Sequence, residues 1–108
     1  MRRTPVPLYR MGNSISARMN HIREQDIEII DRNGVSWVSA NSGGISTFSI
    51  VGKGKNWWQL EKGISIPTEL RVVNDHGNHY LWEPSYTMKV EDYTIALSSI
   101  GELFYKIN

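Results

Sequence analysis

Residue type and spacing offer the most chemistry in Gly43-Gly44-Ile45-Ser46-Thr47-Phe48. Paired glycines permit backbone conformations closed to other residues and let a ligand approach the main chain, after which Ser46 and Thr47 put hydroxyls on opposite faces of a starting strand. A strand entrance of this kind can hold an amide or a ribose. The alternative is a glycine loop before a hairpin strand, with the hydroxyls solvated or bonded to neighbouring backbone. Arg10 follows the apolar start Val6-Pro7-Leu8-Tyr9, where an inward guanidinium needs a carboxylate or phosphate partner. Its planar fork suits a pyrophosphate, whereas read alone an arginine at an element end is a surface residue. His79-Tyr80 opens a strand whose Leu81 and Trp82 look like core. His79 can donate a hydrogen bond or titrate near neutrality, or sit half-buried and satisfied.

Other segments offer less. Lys53 and Lys55 stand among glycines, but no Gly-x-x-x-x-Gly-Lys-Ser/Thr register fits, so a solvated turn is expected in place of a phosphate loop. Trp57 and Trp58 should point to opposite sheet faces, one into the core and the other either stacking on a ligand or packing beneath the basic loop. His21, His76 and His79 contain no His-x-x-x-His pair, and no bound metal is expected. Zero cysteines remove disulfide frameworks, Cys-ligated zinc, iron–sulfur sites and thiol nucleophiles together.

The elements that must position these residues are short. Val6 to Arg10 reads as a first strand whose prolines confine it to an edge or to its own opening residues, and Ile15, Met19 and Ile22 recur at i, i+4, i+7, predicting a helix from Ser14 capped by Ser14 or Asn13. Asp26 to Ile30 and Val35 to Val38 alternate around the turn formers Asp31-Arg32-Asn33-Gly34. Ile45 to Val51, Trp57 to Leu60, Leu70 to Asn74 and His79 to Glu83 are further strands. Val90, Tyr93, Ala96, Leu97 and Ile100 form the stripe of a helix with Glu91 and Asp92 at its positive end and Gly101 closing it, and residues 102–108 can return as a strand. Many short strands with two helices predict an α+β or β-rich fold.

The 108 residues suit one domain, 1–108, and 40% hydrophobic against 21% charged residues suits a folded chain. A formal charge of +1 lacks the basic footprint of a nucleic-acid domain, which disfavours a small β-rich nucleic-acid binder built on Trp57, Trp58 and the lysines. No apolar run approaches the roughly 18–20 residues that span a bilayer, and no h-region follows Arg2-Arg3, so neither a membrane span nor a signal peptide is expected. Four tryptophans, five tyrosines and nine glycines suggest aromatic surfaces closed over irregular backbone.

In order along the chain, Leu8-Tyr9-Arg10, Gly43-Gly44-Ile45-Ser46-Thr47-Phe48, Ile66-Pro67-Thr68-Glu69-Leu70-Arg71-Val72 with Asp75, and His79-Tyr80 with Pro84 and Met88 form a collinear set. The set resembles the small ADP-ribosyltransferase-like toxins typified by the cytoplasm-acting type VI secretion effector of Pseudomonas, with residues 11–30 matching poorly. The resemblance implies two small antiparallel sheets around a split cleft that holds NAD. It implies a growth-arresting toxin of interbacterial competition, secreted and acting in the target-cell cytoplasm, modifying a macromolecular acceptor or hydrolysing NAD, and neutralised by a cognate immunity protein. By motif position Arg10, Ser46 and His79 would be catalytic, while Arg10, Gly44, Ser46, Thr47, Phe48 and Tyr80 would bind NAD. Most such transferases add a glutamate, for which Glu61, Glu83 and Glu91 are all available. The competing reading is a non-enzymatic protein-interaction module that keeps the fold.

Overall fold

The computed structural model describes residues 2–108. Strands β1 (Leu8–Met11), β2 (Ile29–Arg32), β3 (Val35–Val38), β4 (Ile45–Phe48), β5 (Trp57–Leu60), β6 (Leu70–His76), β7 (His79–Pro84) and β8 (Met88–Lys89) precede helix α1 (Val90–Gly101) and strand β9 (Tyr105–Lys106). All pairings are antiparallel. Six strands form one sheet in the order β6-β7-β4-β1-β5-β9, and three form a second in the order β2-β3-β8. The expected α+β class with two antiparallel sheets is therefore present. The two sheets and α1 share one apolar cluster, in which Leu8, Ile45, Leu60 and Trp82 meet Val38, Met88, Tyr93 and Leu97.

Strand alternation decides which residues the cluster takes. Ile45 pairs with Trp82 and Thr47 with Tyr80, and these residues face the core; Ser46, Phe48, Leu81 and His79 occupy the opposite face. Helix α1 buries Tyr93, Ala96, Leu97 and Ile100, the stripe that its spacing predicts, with Glu91 and Asp92 in its first turn. Gly101 is its last residue, and the Glu102 N–H closes it on the Ser98 carbonyl at 3.1 Å.

The sequence-based expectations need correction in three places. Only one helix is found among the described residues, because residues 14–22 form turns. The Asn13 carboxamide takes the Ile15 and Ser16 N–H groups at 2.8 Å each, Arg18 adopts φ 55°, and Arg10 captures the Ala17 and Arg18 carbonyls that a helix would need as acceptors. Burial of Ala17 and Met19 in the core holds this irregular path, while Ile15, the first residue of the predicted stripe, is 83% exposed. The second strand begins at Ile29 and not at Asp26. There the Asp26 carbonyl accepts from Gly44 N–H at 2.9 Å and Ile27 enters the core; Asp31 and Arg32 join the strand, leaving Asn33-Gly34 as a turn with φ 52° and 79°. Strand β4 ends at Phe48, where Ser49 N–H turns to the Asn78 carbonyl at 2.8 Å.

Candidate functional site

The face of β4 and β7 turned away from the core carries Ser46, Phe48 and His79. Register places Ser46 opposite Leu81 and Phe48 opposite His79, so Ser46 and His79 are diagonal neighbours within side-chain reach. His79 Nε2 lies 2.9 Å from Ser46 Oγ, and on the other side of the ring His79 Nδ1 lies 2.6 Å from Asp75 Oδ1. Asp75 reaches the ring because the β6–β7 ladder shifts register between Asn74 and His76, a bulge that re-aims the residue between them. Desolvation opposes ionisation of Asp75, but the hydrogen bond and charge of His79 outweigh it and hold the carboxyl below its ordinary range. A carboxylate only accepts, so in the neutral imidazole the ring hydrogen sits on Nδ1 and the Ser46 hydroxyl donates to Nε2.

Asp75 also lies 3.3 Å from His76 Nδ1, and the donor atoms of Asp75, His76 and His79 all fall within 4.8 Å of one another. The hairpin turn thus gathers histidines whose sequence spacing suggested no such grouping. Asp75 Oδ1 is hydrogen-bonded to His79, and Asp75 Oδ2 lies at ion-pair distance from His76.

Arg10 opens the neighbouring hollow. Strands β1 and β4 share one register pair, Tyr9 with Phe48; beyond it the guanidinium bridges the chains, Nη1 donating to the Ser46 carbonyl at 2.7 Å, Nε to Ala17 at 2.9 Å and Nη2 to Arg18 at 3.1 Å. Burial lowers the Arg10 pKa against the opposing charge of Asp26, and the group remains a cation. Neither reading offered by the sequence describes it fully, since its partners are backbone carbonyls instead of a carboxylate or bulk water. A guanidinium has five N–H donors and three are used here, which leaves two for an anion. Arg18, His21 and Arg23 stand beside it around a hollow of about 390 Å³ that Ser46 and Phe48 also line. Arg23 is paired with Asp26 at 2.9 Å.

A second hollow of about 360 Å³ is walled by Phe48, Trp57 and His79 and completed by Ile50, Gly52, His76 and Asn78. Phe48 meets Trp57 edge-on with centroids 6.3 Å apart and His79 at 5.4 Å. Phe48 is common to the two hollows, and the Ser46–His79 hydrogen bond runs from one to the other. Trp57, not Trp58, packs under the basic loop, its indole donating to the Lys53 carbonyl at 3.1 Å; Trp58 donates to Asn13 at 2.9 Å.

The remaining sequence candidates fall elsewhere. Thr47 is fully buried, donating to the Tyr80 carbonyl at 2.9 Å and accepting from the Trp82 indole at 3.2 Å, and Tyr80 shares that core-facing side. Gly44 fits where a Cβ would come within 2.2 Å of the Trp82 carbonyl, and Gly43 has φ 135°, so the glycine pair serves close packing of the backbone against β7 and the 26–27 turn. Glu83 is buried against Arg71 at 2.8 Å, Glu61 accepts from the Tyr105 hydroxyl, and Glu91 lies in the first turn of α1. The carboxylate that touches the candidate site is Asp75, four residues before His79 across the hairpin turn, and the bulge that aims it left no signal in the sequence. Arg18, His21 and Arg23 carried no such signal, because the turns that bring them to Arg10 replace a predicted helix.

A family model described as Tse2 ADP-ribosyltransferase toxin matches residues 10–106. No curated protein sequence and no solved structure matches the chain.

Proposed function

The chain belongs to the Tse2 ADP-ribosyltransferase toxin family, and on that basis we propose that it binds NAD across the two adjoining hollows and breaks the bond between nicotinamide and ribose. NAD places an aromatic ring, a ribose and a diphosphate in series, and this chain places an aromatic hollow, a hydroxyl–imidazole pair and an arginine hollow in the same series. That adjacency carries the reading. Phe48 would stack on the nicotinamide with Trp57 walling the hollow behind it, Ser46 and His79 would meet the ribose, and the two unused Arg10 donors with Arg18 would take the diphosphate. Gly44, Thr47 and Tyr80 would act from beneath, fixing β4 against β7 so that Ser46 and His79 keep their separation.

Breaking the glycosidic bond builds positive charge on the ribose, and a site assists by fixing the nucleotide and stabilising that charge. The departing nicotinamide is neutral and needs no proton, so little acid–base work falls on the protein before an acceptor attacks. The ADP-ribosyl group would pass to a macromolecule, with water as the acceptor in hydrolysis. Action inside the cytoplasm of a target cell, delivery as a type VI secretion effector and neutralisation by a cognate immunity protein belong to the same proposal. Titration with NAD tests the reading directly: a rise in melting temperature together with release of nicotinamide is expected, and a chain that neither shifts nor releases it is not a transferase of this kind.

A further inference from the structure

We propose that Ser46 is itself an acceptor of ADP-ribose, and that Asp75, His79 and Ser46 form the relay that makes its hydroxyl a nucleophile. The proposal rests on the NAD reading above and adds a modification site and a positioning residue to it. Three observations carry it. The Asp75 Oδ1 to His79 Nδ1 separation is 2.6 Å and the His79 Nε2 to Ser46 Oγ separation is 2.9 Å, the order of acceptor, oriented imidazole and hydroxyl that activates a serine. With the neutral ring's hydrogen on Nδ1, Ser46 Oγ donates to Nε2, leaving its lone pairs available to an electrophile. Ser46 also lines the arginine hollow and is hydrogen-bonded to His79 of the aromatic hollow, so a nucleotide with its ring in one and its diphosphate in the other would bring its ribose to Ser46.

The step balances. A bond forms between Ser46 Oγ and the anomeric carbon, and the bond from that carbon to the nicotinamide nitrogen breaks, its electron pair leaving with neutral nicotinamide. The Ser46 proton passes to His79 Nε2, and the imidazolium is held by the Asp75 carboxylate. A nucleophile fixed beside the reacting carbon acts as if present at an effective concentration on the order of 10⁵ M or more, so Ser46 competes with water whenever no other acceptor is engaged. Its product is an alkyl glycoside with an alkoxide as leaving group, which is stable. The adduct therefore accumulates and blocks its own site, making modification self-limiting. Asp75 touches no substrate atom; it acts by fixing the His79 tautomer.

The test incubates the full chain, made by cell-free synthesis, with NAD, and follows intact mass, nicotinamide release and melting temperature together. Mass should rise by one ADP-ribosyl group, mapped by peptide fragmentation to Ser46 and lost in Ser46→Ala. Asp75→Asn should slow adduct formation more than tenfold at saturating NAD without raising the half-saturating NAD concentration, and Asp75→Glu should restore part of the rate. Nicotinamide release with an unmodified Ser46, or an adduct mapped to another residue, overturns the proposal while leaving the NAD reading intact. Absence of both a melting shift and nicotinamide release overturns the NAD reading and the proposal with it. An Asp75→Asn variant that forms the adduct at the wild-type rate removes Asp75 from the relay.

Discussion

Arg10 and Ser46 line the same hollow, yet their substitutions should separate cleanly. The Arg10 guanidinium is the donor to carbonyls of Ala17, Arg18 and Ser46, so Arg10→Ala leaves part-buried acceptors without it. Stability should drop by about 2 kcal/mol, roughly 8–16 °C in Tm for a domain of this size, as seen in thermal melts. Ser46→Ala removes one hydrogen bond on the outward face and should stay within about 1 kcal/mol of wild type while abolishing growth arrest in an expressing bacterial host. Loss of arrest in Arg10→Ala therefore mixes folding with chemistry, and only Ser46→Ala isolates the chemistry. Acid tests a third residue. Burial raises the Asp26 carboxyl, but the hydrogen bonds and charge of Arg23, with Arg10 beyond, outweigh it, so its folded pKa lies below its ordinary value. A depressed carboxyl contributes stability above its unfolded pKa of about 4 and loses it as pH falls through the folded value. Melting temperature should decline below about pH 4, and Asp26→Asn should flatten that decline.

At the scale of elements, β4 depends on its entrance. A Cβ at Gly44 would sit 2.2 Å from the Trp82 carbonyl oxygen and 2.7 Å from its carbon, backbone atoms that cannot swing aside. Gly44→Ala should cost about 3 kcal/mol by urea unfolding. The Tyr93 hydroxyl of α1 donates to that same Trp82 carbonyl at 2.6 Å, and burial pushes its pKa up. Tyr93→Phe leaves this buried carbonyl without its side-chain donor and should cost about 1–2 kcal/mol in the same assay. These elements were also the legible ones. The alternation in Ile45 to Phe48, the β-branched and aromatic density of that strand and of His79 to Glu83, and the stripe from Tyr93 to Ile100 are local patterns. Residues 14–22 were not legible, because a side chain outside the segment, Arg10, takes the carbonyls that its helical pattern requires. The same limit hid half of the candidate site. Ser46, Phe48 and His79 follow from strand motifs, whereas the approach of Arg18, His21 and Arg23 depends on turns that tertiary contacts dictate, and Asp75 depends on a bulge.

Taken as a whole molecule, a nearly neutral chain assembles a local concentration of positive charge. With a formal charge of +1 it has little to offer a long polyanion, but Arg10 and Arg18 around one hollow, beside an Arg23 already paired with Asp26, suit a single small anionic group. The excess of aromatics and glycines in the composition also acquires a place: Phe48 and Trp57 wall the second hollow, and the Gly43-Gly44 pair lets β4 enter the sheet beside β7. In the proposed function these adjoining hollows receive the two ends of NAD with Ser46 and His79 between them. The most direct measurement is nicotinamide release from NAD by the purified chain compared with folded Ser46→Ala and His79→Ala variants. An initial rate of release by the wild type that falls at least a hundredfold in both variants is the predicted result. Equal release by all three proteins, or none from a wild type that melts cooperatively and ignores NAD, would contradict it.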